Sequence, residues 1–150
     1  RNAVENTPDH SRIEVILNNH SDGLDIIVRD HGVGIPDKDQ AYIFEGFYPV
    51  QETDLYTSGR PYGFNSGGSG TDLLKIRIFS ERLGFGISFK SSRCTCIPSS
   101  RDLCPGDVYK CSACNSVEDC LNNGGSEFAA HIPRTLVCGA TRKKGKAESE

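Results

Sequence analysis

The sequence predicts an α/β two-layer sandwich, a mixed sheet with helices on one face. Three observations carry this. Residues 12–19 and 24–30 are two β-branched runs separated by His20-Ser21-Asp22-Gly23, which is turn chemistry. Residues 71–83 place Leu73, Leu74, Ile76, Ile78, Phe79 and Leu83 on a broad helical stripe. Two more strand-like runs, 85–91 and 127–132, follow that helix.

Taken in order, residues 1–7 read as the last turns of a helix. Pro8 stops it, because a residue before proline is driven out of helical geometry. The hairpin 12–19/24–30 follows. Gly32, Gly34 and Pro36 then break regular structure, and 37–45 suits a short helix with Asp37 as a candidate N-cap. Residues 48–70 are rich in Gly, Ser, Tyr and Pro and predict a long mobile loop, which in a compact domain is usually functional. The helix 71–83 and the strands 85–91 and 127–132 complete the sandwich. A segment rich in cysteine, 92–125, separates the last two strands. One domain spans 1–133, and the basic tail 134–150 is expected to be disordered and solvated.

Composition narrows the classes. With 150 residues, 36% hydrophobic and 25% charged, the chain suits one globular domain. A net charge of −3 gives no global attraction for nucleic acid or an anionic membrane. No apolar run approaches the roughly 20 residues that span a bilayer. The chain contains no Met, which marks it as a fragment of something longer.

Three local patterns can carry chemistry. Asp30 ends a strand ahead of Gly32 and Gly34. Its carboxylate can accept from an exocyclic amine such as adenine N6, and the glycines let backbone approach a flat ring. Gly67-Gly68-Ser69-Gly70 precedes a helix, where free N–H groups and the dipole favour phosphate. Asn2 and Asn6 share one helix face, and amide oxygens suit a hard Mg²⁺ ion that also holds phosphate. Each alone has a plain reading: a strand-to-loop turn, a hinge, two surface amides.

Their order resembles the histidine-kinase branch of the Bergerat-fold ATPases, which also includes gyrase, Hsp90 and MutL. Asn2-Ala3-Val4-Glu5-Asn6-Thr7-Pro8 resembles the N box, and Asp30-His31-Gly32-Val33-Gly34-Ile35-Pro36 the G1 box. Ile43-Phe44-Glu45-Gly46-Phe47-Tyr48 resembles the F box, and Gly68-Ser69-Gly70 the start of the G2 box. Ser126 stands before the last strand, where the family commonly has an adenine-binding Thr. The resemblance covers roughly 1–91 and 124–133. It implies a Bergerat fold with an ATP lid at about 48–67, and ATP and Mg²⁺ as ligands. Asn2 becomes the Mg²⁺ ligand, with Asn6 near phosphate or ribose. Asp30 takes the adenine amine, and Gly32, Gly34 and Ile35 line its pocket. Phe44 and Phe47 anchor the lid, while Gly68, Ser69 and Gly70 line the phosphate end. Arg60 is a lid candidate for a phosphate contact.

The implied function is transfer of the ATP γ-phosphoryl group to a histidine in two-component signalling. The partners are an upstream dimerisation and phosphoacceptor domain and a response regulator. The setting is cytoplasmic, in a parent protein that can be membrane-anchored. The fragment is expected to be monomeric, to touch neither nucleic acid nor membrane, and to have none of His10, His20, His31 and His131 phosphorylated. Two departures stand out. Asp72 replaces a G2 glycine and brings negative charge near the phosphates, unless it caps the helix and points away. The Gly-Gly that usually follows the N box is replaced by Asp9-His10-Ser11. Alternatives are a nucleotide-binding regulatory module without transferase activity, and a serine kinase of the anti-sigma-factor type.

The insertion carries six of the seven cysteines: Cys94-x-Cys96, Cys104, Cys111-x-x-Cys114 and Cys120. A Cys-x-x-Cys knuckle with flanking Cys suits tetrahedral thiolate ligation. The preferred set is Cys104, Cys111, Cys114 and Cys120, with zinc the default and an iron–sulfur cluster the alternative. The loop has almost no apolar core of its own, and a metal can repay its ordering entropy. Cys94 and Cys96 are spare ligands or redox thiols, and Cys138 a free thiol. A metal or redox sensor reporting to the ATP site is a further reading.

Overall fold

A computed structural model describes residues 1–46, 64, 70–97, 104–114 and 116–139. Chain order runs α1 (Asn2–Asn6), β1 (Ile13–Asn19), β2 (Gly23–Asp30), α2 (Asp37–Gln40), α3 (Asp72–Leu83), β3 (Gly86–Ser92), a 3-10 turn (Val108–Lys110), α4 (Val117–Leu121), β4 (Gly125–Pro133) and α5 (Arg134–Gly139). Four strands form one sheet in the order β1-β2-β4-β3.

The expected mixed sheet is antiparallel at every strand pairing among the described residues. The chain reaches β4 from β3 through the long insertion, and β4 then inserts between β2 and β3 running against both. The nearest approach to a parallel contact is a single bridge between Asp9 and Asp107.

Local chemistry explains the elements. The β1–β2 turn closes through the His20 amide donating to the Gly23 carbonyl at 2.8 Å. A Cβ on Gly23 would run into the Ile132 carbonyl of β4, so that corner needs glycine. Helix α3 ends at Gly84, whose φ of 74° is left-handed and whose amide donates to the Ser80 carbonyl at 2.8 Å. This is the glycine stop that helices favour. The basic tail does not begin as disorder: Arg134–Gly139 form α5, tied back by the Arg134 amide to the Asp22 carbonyl at 2.7 Å.

Register sets the faces, since paired residues share one side of the sheet. Val15, Val28, Phe128 and Phe89 form one cross-sheet row, and Ile26, Ala130 and Ile87 another. Phe44 packs edge-on against Phe89 and Phe128, both at 6.4 Å between ring centres. Toward β1 this face is less covered: Val15 is 67% and Leu17 64% exposed. Among the described residues the buried apolar side chains are Val33, Ile43, Ile97 and Val108. Three of these, Val33, Ile97 and Val108, line one cavity of the insertion. The insertion therefore shares a small apolar core with the G1 segment instead of forming one of its own.

Candidate functional site

Asp30 ends β2, where register pairs it with Ser126 of β4, which pairs in turn with Ser91 of β3. One polar row thus closes an otherwise apolar face. The Asp30 side chain is buried, and its Oδ1 accepts from the Gly32 amide at 3.1 Å and the Ser126 amide at 3.2 Å. Burial pushes its carboxyl pKa up, against those two hydrogen bonds and the nearby His31. A carboxyl so held has one oxygen committed to backbone, and no donor among the described residues is bonded to the other.

Ser91 completes the floor. Its hydroxyl accepts from the Ile35 amide at 2.8 Å, donates to the Gly125 carbonyl at 3.0 Å and meets the Ser126 hydroxyl at 3.0 Å. Gln40 of α2 reaches back to the Ile35 and Ser91 carbonyls at 2.9 and 3.2 Å. Sequence reasoning missed both residues. The only signal for Ser91 was its position at the end of a strand register that could not be assigned before the pairing was known.

The G1 glycines are required by close approach. A Cβ on Gly32 would strike the Asn6 carbonyl of α1. Gly34 combines a φ of +65° with backbone contact to Ser92, so a side chain there fails on two counts. The Val33 amide donates to the Asn6 carbonyl at 3.0 Å, which docks the G1 loop on α1. His31 points elsewhere: its Nδ1 lies 2.7 Å from the Leu121 carbonyl and its Nε2 3.1 Å from Glu14. It braces the hairpin against α4, and the pairing lowers the Glu14 carboxyl pKa.

Two cavities hold the remaining expectations. Asp30, Ser91 and Ser126 also touch an open cleft of about 430 Å³ whose other walls include Arg29, Lys90 and Glu127, on the sheet face opposite the apolar rows. Asn2, Phe44, Asp72 and Ile76 border a separate apolar cavity of about 350 Å³ between α1, α3 and the sheet. The structure thus brings Asp30, Gly32, Gly34, Ile35 and Ser126 together and leaves Asn2 on the neighbouring cavity. Asn6 turns inward, its Nδ2 donating to the Asn2 carbonyl at 2.8 Å. Phe44 sits in an aromatic cluster with Phe89 and Phe128. Asp72 does not cap α3, since Thr71 holds the N-cap position. Instead it pairs with Lys75 at 3.1 Å and lies 3.8 Å from Arg1, and the Lys75 hydrogen bond lowers its pKa. Gly70 has a φ of +67° ahead of α3. Phe47, Arg60, Gly68 and Ser69 lie outside the described residues.

The six insertion cysteines border one further cavity of about 210 Å³. Among the described residues no three Cys, His, Asp or Glu side chains are gathered closely enough to hold a metal as they stand. Cys96 lies 3.9 Å from Cys114, sulfur to sulfur. Burial raises the Cys104 and Cys94 thiols. Burial opposes the Cys111 thiolate too, but hydrogen bonds from the Ala113 and Cys114 amides and the Cys114 and Cys96 thiols outweigh it and lower the pKa.

Comparison with known proteins accords with this architecture. The model of the family of histidine kinase-, DNA gyrase B- and HSP90-like ATPases matches residues 1–136. The signal transduction histidine-protein kinase ArlS of Staphylococcus haemolyticus is 34% identical over 58 residues, 39% of this chain. The chain spans only 13% of that relative's length. Among solved structures, the mycobacterial sensor histidine kinase MprB superposes with a TM-score of 0.53 at 17% identity. That match covers 88% of this chain and 64% of the other, and at such identity it speaks for the fold. The chain belongs to the histidine kinase-, DNA gyrase B- and HSP90-like ATPase family and has its Bergerat α/β fold.

Proposed function

We propose that this chain is the ATP-binding catalytic domain of a sensor histidine kinase. It binds Mg-ATP and delivers the γ-phosphoryl group to a histidine on a dimerisation domain elsewhere in the full-length protein. A response regulator then receives the group. The setting proposed is cytoplasmic. Among the described residues no helix is long and apolar enough to cross a membrane.

The observation that carries the reading is the Asp30–Ser126–Ser91 row with the G1 loop folded over it. A buried carboxyl beside two hydroxyls, at the end of an apolar sheet face, supplies acceptors and donors for a purine edge. Gly32 and Gly34 keep the approach free of side chains. Asn2, on α1, borders the apolar cavity with Val28 and Phe128, on the face that the Asp30 row closes. Its amide oxygen is a hard donor of the kind Mg²⁺ takes, so the residue fits the ion. When bound there, Mg²⁺ neutralises charge on the phosphate oxygens. The chain's own part is positioning. It orients the purine at Asp30, ties α1 to the G1 loop through Asn6 and Val33, and offers Gly70 at the start of α3. The histidine nitrogen attacks the γ-phosphorus, the bond to the bridging oxygen breaks, and ADP leaves.

Asp72 favoured a binding-only module as a bare charge near phosphate. Its pairing with Lys75 and Arg1 removes most of that objection. Isothermal titration of the folded chain with a non-hydrolysable ATP analogue and Mg²⁺ is expected to give saturable heat with one site. No heat from folded protein refutes nucleotide binding. Labelled phosphohistidine formed by the full-length protein separates the kinase from a binding module, and phosphoserine on a separate partner would mark the anti-sigma type.

A further inference from the structure

His31 stands between Asp30 and Gly32, and both nitrogens of its ring meet acceptors. Nδ1 lies 2.7 Å from the Leu121 carbonyl and Nε2 3.1 Å from the Glu14 carboxylate, both hydrogen-bond distances. A carbonyl oxygen only accepts. The Glu14 carboxyl does too, because its hydrogen bond with His31 lowers its pKa and keeps it ionised. A neutral imidazole has one N–H and one lone pair, so it serves one of these partners. The imidazolium, with an N–H at each nitrogen, serves both. The side chain is only 20% exposed, so water does little to replace a lost partner.

The two partners belong to different parts of the molecule. Glu14 is on β1, and Leu121 is the last residue of α4, where a carbonyl has no donor within the helix. The His31 backbone is held as well. Its amide donates to the Arg12 carbonyl at 3.1 Å, and its carbonyl accepts from the Ser11 hydroxyl at 2.8 Å. Two residues on, the Val33 carbonyl takes the Cys94 amide at 2.9 Å. Cys94 lies near the start of the insertion and Leu121 near its end, so both ends clasp the G1 loop. Charged groups surround the ring from every side. Arg12 and Glu14 come from β1 and the segment before it, Arg29 and Asp30 from β2. Lys90 of β3 and Glu127 of β4 share a cleft with it. Helix α4 adds the Cys120 thiol, whose pKa burial raises, and the exposed acids Glu118 and Asp119.

We propose that His31 is a positioning residue that clamps the G1 loop between β1 and the insertion only in its protonated state. When the ring loses a proton, one N–H remains. It stays on the Leu121 carbonyl, the shorter contact, and the Nε2 lone pair then faces the Glu14 oxygens. The β1 side of the clamp opens. The contribution is therefore complete on the acid side and lost as pH rises through the range where imidazoles titrate, roughly pH 5–8. Glu14 stays ionised across that range, so the change belongs to His31. Nucleotide affinity falls with it, a consequence that rests on the reading of Gly32 and Gly34 as the nucleotide floor.

Nitrogen NMR of the imidazole rings in the whole 150-residue chain reads the clamp directly and needs no variant. At the acid end both His31 nitrogens should carry a proton, and rising pH should strip Nε2 alone. Glu14→Gln removes the counter-charge and should move that transition to lower pH. In thermal melts, wild type should lose stability relative to His31→Gln between roughly pH 5 and 8. Asp30 is present in both proteins, so its own titration largely cancels in the difference. Calorimetry with the non-hydrolysable ATP analogue and Mg²⁺ should show wild-type affinity falling several-fold over the same range relative to His31→Gln. The clamp is overturned by a ring whose protonation does not change in that range, by loss of the Nδ1 proton in place of Nε2, by a transition that Glu14→Gln leaves in place, or by a flat melting difference. Affinity that ignores pH while the ring and the melts follow it overturns the link to the nucleotide floor. Absence of nucleotide heat at every pH counts against the proposed function instead, and the ring spectra and melts still decide the clamp.

Discussion

Asp30, the residue proposed to carry recognition, is buried at a cost to stability. Its burial disfavours the charged form and its pKa is raised. The sign follows from linkage. A carboxyl with a raised folded-state pKa contributes stability that is complete below its unfolded value, about 3.9. That contribution is lost as pH rises through the folded value. Asp30→Asn keeps an oxygen for the Gly32 and Ser126 amides and removes the ionisation. Thermal melts across the mildly acid range should therefore show wild type losing stability with rising pH relative to the variant. The same variant offers an amide where a purine amine seeks a carboxylate. Nucleotide affinity should fall roughly ten- to a hundredfold, the worth of a charged hydrogen bond of about 1.5–3 kcal/mol, as read by titration calorimetry. Stability kept while affinity drops identifies a binding group. Ser91→Ala is expected to act in the opposite sense on stability. It strands the Ile35 amide and costs about 1–3 kcal/mol, measured by urea denaturation.

At the scale of elements, glycine positions separate backbone strain from steric conflict. Gly84, the stop of α3, has a left-handed φ of 74° and open space around its missing Cβ. Gly84→Ala should cost only the left-handed penalty, about 1–2 kcal/mol. Gly34 has a similar φ and also abuts the Ser92 carbonyl. Gly34→Ala should cost distinctly more in the same denaturation series, and it should perturb nucleotide binding because Ile35 follows it. Equal costs at the two positions would show that the G1 loop relaxes away from β3. Helix α3 and the four strands were legible from periodicity, because an apolar stripe is a local record of which face is covered. Antiparallel pairing throughout was not legible. Strand direction depends on where a crossover lands, and the 34-residue insertion hid that.

For the whole molecule, the G1 loop is held from two sides, by α1 through the Asn6 carbonyl and by the insertion through Cys94 and Val33. Both grips must hold for Gly32 and Gly34 to keep their place. The surface contributes little to this balance. Arg29 pairs with Glu127 at 2.6 Å on the sheet's other face, and Arg29→Ala should leave the melting temperature nearly unchanged, given its exposure.

The sequence by itself determined the elements, the ordered boxes and the placement of Asp30, Gly32 and Gly34 at the end of a strand. These signals are local: a carboxylate before two glycines, a proline stop, a stripe at helical spacing. Tertiary structure alone decided what those residues meet. It aligned Ser91 and Ser126 beside Asp30 across three strands, turned His31 away to brace α4, and brought Arg1 to Asp72. It also set Cys96 against Cys114. The reason is common to all four. Spacing along the chain constrains neighbours within a turn or a hairpin, whereas register and loop docking bring together groups tens of residues apart, and no local pattern records that choice.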